Sequence, residues 1–189
     1  MKPKKQPERK KSIVDRGILT LQQIEDHIIE SNSIEKILRP PTVEEIAELD
    51  RFLDNEKITI SELEKFVKVF QPDAKLRQDY GMNVRVGRYI PPYGGPQIRH
   101  GLDGLLNQQS KWSSHKMHVH YELLHPFSDG NGRSGRALWL WKRLSEQNMK
   151  NWTPFLLEFY YQTLREAGEL YAQRDAMMNI TSLENIKDV

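Results

Sequence analysis

Cysteine is absent from this 189-residue chain, which excludes disulfide staples and thiolate zinc sites. No run approaches the ~20 consecutive apolar residues needed to span a bilayer. The N-terminus has no apolar segment of the kind a secretory signal requires. There is no phosphate-binding GxxxxGK(S/T) loop, no HExxH zinc helix and no internal repeat. A soluble, cytoplasmic protein without membrane contacts is expected. With 38% hydrophobic residues the chain can bury one sizeable core and no obvious second one.

Excess charge is also scarce, since the net value is only +2, but its distribution is uneven. Residues 1–12 hold six Lys or Arg and one Glu; without them 22 basic side chains face 25 acidic ones. The basic character therefore sits in a tail, assigned to residues 1–17, whose first eleven residues have almost no large apolar side chain with which to order themselves. Such a short cluster is more often a solvated arm than a nucleic-acid contact, so nucleic acid is disfavoured as a partner.

What the chain does have is the run His125-Pro-Phe-Ser-Asp-Gly-Asn-Gly-Arg-Ser-Gly-Arg136. His125 is a base that titrates near neutral pH when unperturbed. Asp129 is a hard oxygen ligand of the kind Mg²⁺ takes when it also binds phosphate. Gly130 and Gly132 let successive N–H groups curl toward one anion, and a helix starting near Asn131 adds its positive end. Arg133 and Arg136, three apart, share a helix face and can grip distal phosphates. Asp-Gly and Asn-Gly could instead be a plain hairpin turn. The flanking residues argue against it, because Leu123-Leu124 before and Ala137, Leu138, Leu140, Trp141 and Leu144 after are spaced for helices.

This run resembles the Fic family signature HxFx(D/E)GNGRxxR, with every specified position filled by His125, Phe127, Asp129, Gly130, Asn131, Gly132, Arg133 and Arg136. The resemblance implies a mainly α Fic fold, a helical bundle with a small β-hairpin flap beside the active-site loop. It also implies transfer of AMP from ATP to a hydroxyl side chain of a target protein, with release of pyrophosphate. By the same resemblance His125 would deprotonate the attacking Ser, Thr or Tyr, and Asp129 would hold Mg²⁺. Gly130, Asn131 and Gly132 would line the anion hole, Arg133 and Arg136 would bind the β and γ phosphates, and Phe127 would anchor the loop. A phosphorylating branch carries Lys where this chain has Gly132, so Gly132 favours adenylyl transfer.

Many family members carry an inhibitory helix reading (S/T)xxxE(G/N), whose Glu pairs with the second signature arginine. Ser31-Asn-Ser-Ile-Glu35-Lys36 resembles it except at Lys36, and an inhibitory helix over 20–37 is assigned with Ser31 and Glu35 as its working residues. Read locally, Asn32-x-x-Glu35 is instead a capping box. A rival inhibitor is Ile180-Thr-Ser-Leu-Glu184-Asn185, which lacks the leading Ser or Thr. Removal of AMP by the same site, and a catalytically silent regulatory module, are the alternative functions.

The rest of the chain reads mostly helical. Leu21, Ile24, Ile28 and Ile29 form one stripe; Thr42-x-x-Glu45 and Thr59-x-x-Glu62 open two further helices. Asn83 to Ile90 alternates polar and apolar residues before Pro91-Pro92 breaks it, which suggests the flap. Val84, Arg85 and Val86 would then dock a target segment by strand addition. Ile98, Leu102, Leu105 and Leu106 mark another helix, and Met117 to Leu124 the one that feeds the signature. His115, His118 and His120 raise a zinc alternative, but their spacing to His125 is wrong for it. His118 is expected to pack structurally. Phe159 to Leu164 resembles the family's terminal helix, which makes Tyr160 and Tyr161 candidates to border the adenine. The Fic domain is placed at 18–175, followed by a C-terminal tail over 176–189. Mg²⁺, ATP and a hydroxyl-bearing protein are the implied cofactor, co-substrate and partner; a homo-oligomer stays open.

Overall fold

The computed structural model describes residues 12–87 and 89–146. The expected adenine-bordering Tyr160 and Tyr161, the rival Glu184, residues 1–11 of the tail and the C-terminal tail lie outside them. Six helices follow in order: α1 (Leu21–Ile34), α2 (Val43–Leu53), α3 (Ile60–Phe70), α4 (Pro96–Leu106), α5 (Ser114–Leu124) and α6 (Asn131–Glu146). The chain is mainly α.

The starts of these helices follow from local chemistry. Thr20, Thr42, Thr59 and Ser113 each accept a hydrogen bond from the backbone N–H three residues on, which satisfies one of the first-turn donors. At α1 and α2 the reciprocal bond is also made, by Gln23 and Glu45. Pro96 at the start of α4 needs no partner for the N–H it lacks.

Helix α6 is the central element, packing on α1, α2, α3 and α5, while α4 closes the far side against α5 and α3. Residues of α6 from Ala137 to Trp141 are almost all buried, as expected of a helix surrounded by others. Around it lie Ile24 and Ile28 of α1, Leu49 and Phe52 of α2, Leu63, Phe66 and Val67 of α3, and Met117 and Tyr121 of α5. Each fully buried side chain of this size is worth roughly 1.5–3 kcal/mol over exposure. Gly135 permits the close approach of α5, because a Cβ there would lie 3.1 Å from Tyr121 Cδ1. Across that contact the Tyr121 hydroxyl and Ser134 Oγ share a 2.7 Å hydrogen bond.

Three expectations change. Within the tail assigned to 1–17, residues 12–17 are tied to the bundle: Ile13 joins the core, Val14 N–H donates to Asp50, and the exposed Arg16 pairs with Asp54. The inhibitory helix, expected over 20–37, ends at Ile34, so Glu35 is its C-cap rather than an interior residue. The local capping-box reading of Asn32-x-x-Glu35 falls with it, because Asn32 lies inside α1, whose N-cap is Thr20. Lastly, no strand is present among the described residues; the expected hairpin is one antiparallel bridge between Val86 and Tyr89. Pro91 and Pro92 supply no N–H to extend a ladder, and the Met82 and Pro92 carbonyls are taken by Arg77. None of the helices among the described residues is long and apolar enough to cross a membrane.

Candidate active site

The signature spans the end of α5, a five-residue loop and the start of α6. His125 caps α5 in a left-handed conformation, φ 48° and ψ 61°, with its N–H on the Tyr121 carbonyl. A non-glycine residue in that region costs about 1 kcal/mol or more, and the surroundings must hold it there. Arg77 does so. Its fully buried guanidinium donates to the His125 carbonyl (2.7 Å), the Leu124 carbonyl (3.0 Å), Met82 (3.1 Å) and Pro92 (3.0 Å). One side chain thus satisfies two carbonyls at the end of α5 and ties them to the flap segment.

Burial pushes the His125 imidazole down to about 4, and the Arg77 charge acts the same way; the Glu122 carbonyl, Glu35 and Asp129 oppose it. The ring is therefore neutral at physiological pH. Its Nδ1 is buried away from solvent, which leaves Nε2 as the nitrogen for chemistry. The unperturbed value assumed from sequence does not hold, because the ring is packed away from water.

The loop is braced from within. Asn131 accepts from the Phe127 N–H and donates to the Phe127 carbonyl, both at 2.8 Å. Its amide is thus turned inward, and an anion at this loop would meet the backbone N–H of Asn131 rather than its side chain. Phe127 is buried, and its antiparallel bridge to Leu76 fixes the loop against the segment that carries Arg77. Gly130 has φ 74°, a conformation other residues rarely adopt.

Asp129 is exposed on the loop surface. Its Oδ1 accepts from the Gly130 N–H at 2.6 Å, and its Oδ2 accepts from Gln71 Nε2 at 2.7 Å. Arg133 is buried and donates to the Phe70 carbonyl and to Gln71 Oε1, both at 2.8 Å. Gln71, just past α3, was not singled out in the sequence; its position 58 residues before Asp129 gives no local signal.

Arg136 is 1% exposed and is met from α1. Its Nε donates to Ser31 Oγ (2.8 Å), and its Nη2 donates to the Ser31 carbonyl (3.0 Å) and to Glu35 Oε1 (2.7 Å). The Glu35 carboxylate lies over Gly132, where an added Cβ would collide with Oε1. The structure therefore brings His125, Asp129, Gly130, Asn131, Gly132, Arg133 and Arg136 into one site and adds Ser31 and Glu35 to it. In the flap, Val86 and Arg85 are exposed and Val84 is half-buried. The Tyr89 hydroxyl donates to the Leu123 carbonyl, which seats the turn on α5.

Lys36, the one mismatch in the inhibitory pattern, has φ 62°. Its N–H donates to the Ser33 carbonyl and the Ile37 N–H to the Asn32 carbonyl. Those two bonds define a Schellman cap, whose left-handed residue is best served by Gly or Asn. The Gly or Asn preference of the pattern thus has a backbone reason, and Lys36 fills the position at some cost.

The upstream histidines diverge. His118 is buried, with Nδ1 2.9 Å from the Gly135 carbonyl, as its structural role required. The His120 ring lies against Trp112. No group of three or more His, Asp or Glu among the described residues could hold a metal ion by itself.

Residues 74–141, which include the run from His125 to Arg136, match the model of the Fic/DOC family, so this segment of the chain is similar to that family. Members of that family commonly transfer AMP or other nucleotide-derived groups to proteins. The match takes in the flap segment, α4, α5 and the signature, and leaves α1 to α3 outside. Curated proteins gave no match to the chain.

Proposed function

We propose that this protein transfers AMP from ATP to a hydroxyl side chain of a target protein, and that Glu35 holds it inhibited. Supporting the reading above all is the occupation of Arg136: the second signature arginine spends its donors on Ser31 and Glu35. A γ-phosphate gripped by Arg136 would have to displace a carboxylate from the same guanidinium. Losing a charge-assisted contact of this kind typically costs ~1.5–3 kcal/mol.

With α1 released, neutral His125 accepts the proton of the attacking hydroxyl, a contribution of about 10²–10⁴ in rate. Attack at the α-phosphorus forms the new O–P bond and expels pyrophosphate. The first-turn N–H groups of α6 and the Arg133 and Arg136 guanidinium groups stabilise the charge that develops. Asp129 fits a Mg²⁺ site, since a single exposed carboxylate completed by phosphate oxygens and water is the usual protein share for that ion. The ion would supply neutralisation of the α and β phosphates. Gly132 leaves room for the phosphates, which fits adenylyl rather than γ-phosphoryl transfer.

Incubation with α-labelled ATP and Mg²⁺ tests the reading. Label should appear on protein with Glu35→Gly, be weak in the native chain and vanish with His125→Ala. Silence of Glu35→Gly with every protein extract would favour a regulatory module instead. Loss of label from a pre-modified target would favour removal of AMP.

A further inference from the structure

The signature carboxylate and the first signature arginine meet on one side chain that belongs to neither the signature nor the matched family segment. Gln71 closes α3, its N–H on the Val67 carbonyl at 2.7 Å. Its carboxamide then spans the gap to the loop, with Nε2 donating to Asp129 Oδ2 (2.7 Å) and Oε1 accepting from Arg133 Nη2 (2.8 Å). The polarity matches at both ends: the donor half faces the anion and the acceptor half faces the cation. The Gln71 stem is held too, since a Cβ added at Gly130 would come within 3.3 Å of Gln71 Cβ.

We propose that Gln71 is a positioning residue for Mg²⁺·ATP, presetting the distance and orientation between Asp129 and Arg133 before the nucleotide arrives. The inference rests on the reading that Asp129 meets the metal and Arg133 the phosphates. Its physical content is preorganisation. Asp129 Oδ1 is already held by the Gly130 N–H; among the described residues, losing Gln71 leaves the other oxygen unrestrained and Arg133 with only the Phe70 carbonyl. Both groups would then have to be ordered at the expense of nucleotide affinity. Among polar side chains of this length only a carboxamide serves both partners. Glutamate would repel Asp129, and lysine would repel Arg133.

The test uses the full chain carrying Glu35→Gly, so that the site is open, with Gln71→Met or Gln71→Asn added. Methionine keeps the volume and loses both bonds; asparagine keeps the amide but is one methylene too short to bridge. Calorimetric titration with ATP is run in Mg²⁺ and again in EDTA. The expected result is a rise of about tenfold in Kd for Mg²⁺·ATP and in KM for the nucleotide, with kcat within about twofold because His125 is untouched. The gain in ATP affinity from Mg²⁺ should also shrink, which a purely packing role for Gln71 would not alter. Unchanged Kd and an unchanged Mg²⁺ gain in either folded variant, alongside an active Glu35→Gly parent, would overturn the proposal. A parent that binds Mg²⁺·ATP normally but transfers no AMP would count against the transferase reading alone and leave the Gln71 measurement standing.

Discussion

Glu35 Oε1 and Arg136 Nη2 lie 2.7 Å apart although 101 residues separate them, and the two side chains differ sharply in exposure, 40% against 1%. The arginine is enclosed by the core, while the carboxylate closes over it from the edge of α1. Such a contact can open without unfolding the bundle, because only the end of one helix has to move.

Ser31 shares that contact, so under the inhibition proposed for Glu35 its removal should raise AMP transfer in part. Ser31→Ala deletes the acceptor for Arg136 Nε but leaves the Ser31 carbonyl and Glu35 in place. Labelling by α-labelled ATP should rise by roughly three- to tenfold, and by more in Glu35→Gly, given net hydrogen-bond values of about 0.5–1.5 kcal/mol. Equal labelling in Ser31→Ala and the native chain would contradict the role given to Ser31.

Lys36→Gly should strengthen the proposed inhibition by Glu35. The left-handed cap position costs a side chain about 1 kcal/mol, and glycine removes that strain. Thermal unfolding should shift upward and basal labelling should fall. A lowered melting temperature would show that the Lys36 side chain contributes more than its backbone strain removes.

Arg77→Lys should fail to substitute for arginine, since an ammonium group cannot reach four carbonyls arranged around a planar fork. Several buried carbonyls would lose their donor, and a destabilisation of about 3 kcal/mol or more is expected. Arg77→Lys keeps the positive charge, so the acid limb of the kcat profile should move upward only in Arg77→Met, at temperatures where that variant remains folded, because the Arg77 charge helps push His125 down. Denaturant melts and a pH–rate profile, measured together, separate the two effects.

Stability should fall as the solution is acidified below pH 6.5. Burial, with help from the Arg136 charge, pushes His27 down to about 3, and burial likewise pushes His118 down to about 3. Between pH 6.5 and about 3 the unfolded chain binds a proton at each ring that the folded chain refuses, so the contribution is complete above 6.5 and is lost on descending. Each ring should account for about 1.4 kcal/mol per pH unit in that window. Chemical denaturation at pH 7, 6 and 5 measures the slope, and His27→Leu should reduce it. An unchanged slope would rule out His27 as a contributor.

The signature, the helix starts and much of the core were legible because they are local. Thr42, Thr59 and the Ile98-to-Leu106 stripe carry their reasons within one or two turns of chain. Alternation from Asn83 to Ile90 predicts paired strands, but ladder length depends on donors that Pro91 and Pro92 lack. The residue pattern picks out Glu35 but not the end of its helix, because the left-handed turn at Lys36 depends on backbone bonds that the pattern does not encode.

The amino-acid order alone determined the phosphate-sized loop, its base, its carboxylate and its two arginines, since all of them fall within twelve consecutive residues. Tertiary structure decided who else stands there: Arg77 behind His125, Gln71 between Asp129 and Arg133, and Ser31 with Glu35 on Arg136. Those partners come from helices and turns 48 to 105 residues away. Hydrogen bonds over such separations exist only once hydrophobic burial has packed α1, α3 and α5 around α6, and no local pattern of residues encodes that arrangement.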